Sequence, residues 1–104
     1  MQPSERLLRE RRQVALMRSQ LEGFVAGSVP LPRLITDLEG LLNALEVLPD
    51  EWRDEFRSAW GGLEISYAVA LDRLTPIPDA SDSGVADDLF ELRVLIDRAD
   101  RLLS

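Results

Sequence analysis

The chain lacks cysteine, histidine and lysine, and all 12 of its basic residues are arginine. Without cysteine there is no disulfide framework, no thiolate nucleophile and no zinc site of the usual kind. The absence of histidine removes the one side chain that titrates near neutrality unperturbed, and with it the commonest metal ligand. Without lysine there is no Schiff-base chemistry. Carboxylates, hydroxyls, arginines and a single tyrosine remain, a poor kit for catalysis. No spacing of acids singles out a hydrolytic pair, so the expectation is that the protein is not an enzyme.

Apolar runs are short. No window approaches the roughly 18 consecutive apolar residues of a membrane span. The start, Met1-Gln2-Pro3-Ser4-Glu5, leads into an arginine-rich stretch and holds no apolar leader of about 7–15 residues. No membrane contact is expected, and a cytoplasmic location is.

The 104 residues suit one domain, and a 45% apolar, 30% charged composition is that of a folded chain. The net charge of −7 is unevenly placed. Residues 1–20 hold five arginines (Arg6, Arg9, Arg11, Arg12, Arg18) against Glu5 and Glu10, a balance of +3 that leaves −10 for the other 84. The larger part has a basic partner as its natural complement, and nucleic acid is not the expected ligand. The arginine-rich segment also lacks interleaved aromatics for base stacking.

Apolar spacing divides the chain into four helices, expected at about 4–26, 32–48, 51–74 and 84–103, with a loop over 75–83. Ser4 is a candidate cap for the first, whose stripe is Leu7, Val14, Met17, Leu21, Phe24 and Val25. Gly27 and Pro30 stop it. Pro32 suits the opening turn of the second. Its stripe of Leu31, Leu34, Ile35, Leu38, Leu41, Leu42, Leu45 and Leu48 contains two adjacent apolar pairs. Asp50 is the expected cap of the third, which carries Trp52, Phe56, Trp60, Leu63, Tyr67, Leu71 and Leu74. Gly61-Gly62 inside that helix points to a kink or a close helix approach. Ser83 is the expected cap of the fourth, with Val85, Leu89, Leu92, Ile96, Ala99 and Leu103 inward. Nothing alternates as a strand does. The expected fold is all-α: a single-domain, antiparallel four-helix bundle, up-down-up-down.

The aromatics follow the helix's own apolar period, which makes them core. Di-iron bundles need Glu-x-x-His motifs that this chain cannot supply, and no EF-hand spacing occurs, so neither metal nor cofactor is expected. Two acidic clusters remain: Asp50, Glu51, Asp54 and Glu55, then Asp79, Asp82, Asp87 and Asp88. Such clusters commonly do no more than complement helix dipoles and keep a surface soluble. Read functionally, they form an anionic face for a basic protein. The candidate partner-binding residues are Asp50, Glu51, Asp54, Asp82, Asp87 and Asp88.

The stretch Phe24-Val25-Ala26-Gly27-Ser28-Val29-Pro30, followed by Leu34-Ile35-Thr36-Asp37-Leu38-Glu39, resembles the first half of small immunity proteins of the colicin-D-immunity-like kind. The later Trp60-Gly61-Gly62-Leu63-Glu64-Ile65-Ser66-Tyr67-Ala68 looks like a helix of small bacterial proteins. The resemblance implies an acidic helical bundle that plugs the active site of a nuclease toxin. The basic first helix departs from that pattern, and no functional residue is carried over. The expected function is thus a non-catalytic, immunity- or antitoxin-like inhibitor of a basic toxin or nuclease. The alternative is a structural or adaptor bundle with no toxin partner, one version of which is a homodimer that buries an apolar surplus on the second helix.

Overall fold

The computed structural model describes residues 4–104; Met1–Pro3, part of the start read above, lie outside them. Four α-helices follow in order: α1 (Glu5–Val25), α2 (Leu31–Ala44), α3 (Asp50–Asp72) and α4 (Ser83–Leu102). There is no strand among the described residues. Among the described residues no helix is long and apolar enough to cross a membrane.

The helix ends follow local chemistry. The Ser4 side chain accepts the Leu7 amide at 3.1 Å, as expected of a cap. At the other end of α1, the Ser28 and Gly27 amides donate to the Gly23 and Phe24 carbonyls, at 2.8 and 3.1 Å. That closing motif needs a left-handed residue, and Gly27 takes φ 84° without a Cβ penalty. The caps of α3 and α4 differ from expectation. Pro49, not Asp50, precedes α3 and offers no side-chain bond. Asp82, not Ser83, caps α4, its Oδ1 accepting from the Gly84 and Val85 amides.

Helix α2 stops four residues before the expected Leu48. Its next amides, Glu46 and Val47, donate instead to the Glu10 Oε1 at 2.8 and 2.9 Å. The Arg53 guanidinium donates to the Leu42 carbonyl at 3.3 Å and also to that of Leu45. Side chains from two other helices thus take the bonds that would have continued α2. Leu45 and Leu48 are buried all the same, from an extended connection.

Helix α3 ends two residues early for a different reason. Leu74 adopts φ 55°, and the Leu74 and Thr75 amides close back onto Leu71 and Ala70. This left-handed exit turns Leu74 into solvent, where it is 93% exposed. Leu71 and Val25, also expected inside, are exposed near the ends of their helices.

Each helix packs on two others. Helix α1 lies against α2 and α4, and α3 against the same two; α1–α3 and α2–α4 make no close backbone approach among the described residues. The cross-helix pairs run in opposite senses along their helices. On α3 and α4, Trp52 donates to the Leu95 carbonyl at 2.7 Å, while Gly62 lies against Asp88. On α1 and α4, Arg11 reaches the Leu103 carbonyl at 2.8 Å, and Arg18 pairs with Asp97 and Asp100. On α2 and α3, Trp60 donates to the Ile35 carbonyl at 2.8 Å, and Arg53 to that of Leu42.

The core is one hydrophobic cluster drawn from all four helices. Trp52 and Phe56 stack at its centre, ring centroids 5.2 Å apart. Trp60 and Tyr67 pack at its edge, half-buried. All of the α2 stripe is buried except Leu41, which packs against the cluster. The suspected surplus of apolar surface on α2 is therefore consumed inside this one chain.

Candidate functional site

The six acids singled out in the sequence fall in different settings. Asp50 and Glu51 form the first turn of α3, and Asp54 follows on its exposed side. Asp82 is committed to capping α4. Asp87 is exposed and Asp88 half-buried in the second turn of α4. The Asp50–Asp54 turn begins about 12–18 Å along α3 from Gly62, at ~1.5 Å per residue, and Gly62 is where Asp88 lies. The two clusters therefore sit at separate places on the α3–α4 pair.

Between them is a groove of ≈ 260 Å³ lined by Glu55, Ser58, Ala59, Asp88 and Glu91. Its geometry depends on Gly62. A Cβ there would clash with the Asp88 carboxylate, so glycine is what lets this side chain lie against α3. Burial pushes the Asp88 carboxyl above its ordinary range, with smaller upward contributions from Asp87 and Glu91. Among the described residues no arginine forms an ion pair with Asp87, Asp88 or Glu91, and Glu55 pairs with Arg98 at 3.2 Å. The groove is thus an anionic face short of cations.

Sequence reasoning missed Glu91 as a member and did not carry Glu55 into the candidate set. Helical spacing held the signal for Glu91, since Asp87 and Asp88 precede it by four and three positions. The meeting of Glu55 with Asp88 across two helices had no signal in the sequence.

On α1, Arg9 and Arg12 are exposed beside Leu8 and Glu5 around a shallow recess, and neither is in an ion pair among the described residues. Further along, Leu16, Gln20, Gly40 and Leu41 line a more apolar groove between α1 and α2, where the buried Gln20 Oε1 has no hydrogen-bond partner. No group of three or more acids among the described residues is placed to hold a metal ion. Compared with known protein families, curated proteins and solved structures, the chain matches none.

Proposed function

We propose that this chain is a non-catalytic protein-binding module: a single-domain, up-down-up-down antiparallel bundle whose α3–α4 face docks on a basic surface of another protein. The opposed order of the cross-helix pairs supports that topology. The mode is that of a cytoplasmic immunity- or antitoxin-like inhibitor, in which carboxylates cover the cationic site of a toxin or nuclease.

The observation that carries the reading is the Asp88–Glu91 groove. A carboxylate held against a neighbouring helix, partly out of water and beside two more acids, is unfavourable for an isolated protein. An incoming guanidinium or ammonium relieves that cost, so the acids bind a basic partner more strongly than scattered surface charge would. Glu51, Asp54 and Asp87 extend the anionic field and speed the encounter.

Affinity capture of the tagged chain from its native cells, at low and at high salt, tests this. The expected result is one basic protein, retained at low salt and lost as salt rises. Retention unaffected by salt contradicts an electrostatic face. The alternative, a structural or adaptor bundle that pairs with itself, draws support from Ile65 and Phe90, each 65% exposed on the outer sides of α3 and α4. Capture of only the untagged chain favours it.

A further inference from the structure

The first helix presents a second, opposite surface. Arg9 and Arg12 stand on its outer side with no ion pair among the described residues, in a recess shared with Glu5 and Leu8 and near Leu16, which is 51% exposed. Helix α1 packs only on α2 and α4, so this side faces away from the α3–α4 groove. The two arginines are three positions apart, and so are Asp88 and Glu91. Each pair therefore has the same rise of about 4.5 Å along its helix. The exposed Leu8 and Leu16 lie on the outer side of α1 with the arginines.

We propose that the outer face of α1 docks into the α3–α4 acidic groove of a second copy of this chain. The contact is head-to-tail, Arg9 and Arg12 of one copy lying on Asp88 and Glu91 of the next. One copy cannot satisfy both of its own faces, because they lie on opposite sides of the bundle. The association is open-ended, giving short chains of copies rather than a closed symmetric dimer. Its strength is set by a balance of charge. Each copy carries −7, which repels at long range, whereas the docked faces attract at contact distance. At about 0.15 M salt the Debye length is ~8 Å, so the net repulsion is screened more than the contact pairs. This inference rests on the reading of the α3–α4 groove as an anionic docking face, and not on a toxin being its ligand.

Sedimentation of the whole chain over a concentration series at physiological salt tests it, with two charge-reversed variants. The first, Arg9→Glu with Arg12→Glu, spoils the basic face. The second, Asp87→Arg with Glu91→Arg, spoils the acidic face while leaving the Asp88–Gly62 contact intact. Docking predicts that the parent associates, and that each variant alone loses association about tenfold or more. An equimolar mixture of the two restores association between unlike variants, because the second supplies the basic face and the first the acidic one. The second variant is the sharper arm. Replacing two negative charges by two positive ones takes the net charge from −7 to −3, so simple repulsion predicts more association where docking predicts less. A parent that stays monomeric to millimolar concentration overturns the proposal. So does a mixture that fails to associate while circular dichroism shows both variants folded.

Discussion

Glu10 and Val47 are 37 positions apart, and the buried carboxylate of one accepts the backbone amide of the other at 2.9 Å. The same oxygen accepts the Glu46 amide at 2.8 Å, so one side chain satisfies two donors just beyond α2. Glu10→Ala leaves both without an acceptor and is expected to cost about 1–3 kcal/mol. Glu10→Gln retains an acceptor oxygen and costs less. Thermal unfolding checks the order of the two variants. Hydrogen exchange at the Glu46 and Val47 amides checks the cause: it accelerates in the alanine variant ahead of exchange in the α3 core.

The left-handed exit from α3 places a leucine where glycine is the natural occupant. Leu74 contributes almost no burial, so its loss removes little packing. Leu74→Gly relieves the backbone conformation and is expected to stabilise the fold by about 1 kcal/mol. A higher unfolding midpoint in denaturant, with an unchanged slope, is the outcome to look for.

The adjacent glycines of α3 differ in what the same substitution must move. A Cβ at Gly61 meets nothing within 4 Å. Gly61→Ala therefore gains helix propensity and stabilises by about 0.5–1 kcal/mol. A Cβ at Gly62 meets the far end of the Asp88 side chain, so Gly62→Ala gains propensity only by turning that carboxylate off α3, which removes the burial that pushes it up. Paired denaturation curves decide the matter. An Asp88-linked pH dependence of stability that survives in Gly62→Ala would show that Asp88 does not pack on α3.

The raised carboxyl of Asp88 gives the fold a pH dependence of known sign. The folded state holds this proton more tightly than the unfolded state does, so the Asp88 contribution to stability falls as pH rises through the raised folded-state value. The penalty is fully present at neutral pH and vanishes below the ordinary carboxylate range. Asp88→Asn removes it, and its melting temperature is expected to exceed the parent's at pH 7, with the difference closing toward acid. A difference independent of pH would assign the effect to packing instead.

Helix number, helix type and most of the core were legible in the sequence, because each segment carries a continuous apolar stripe such as Leu34, Ile35, Leu38 and Leu42. The ends were less so. Leu48 obeys the α2 period, yet α2 stops at Ala44 because Glu10 and Arg53, from other helices, take its closing bonds. Leu74 obeys the α3 period, yet the chain has already turned left-handed there. Periodicity records which side faces inward and is silent about distant side chains that compete for the backbone. The candidate site was legible in part. Asp88 stood out through its acidic surroundings, whereas the groove requires Gly62 to face Asp88 across two helices, a relation that no spacing within one helix encodes.

Under the proposed function the acidic α3–α4 face binds a basic protein. The most direct test is capture from native cells with the parent and the Asp87→Arg, Glu91→Arg variant side by side, followed by the affinity of the recovered protein for each. The expected result is a basic partner held by the parent and bound at least about tenfold more weakly by the variant, with a shallower dependence on salt. A partner that binds both equally, at every salt concentration, would contradict the assignment of this face.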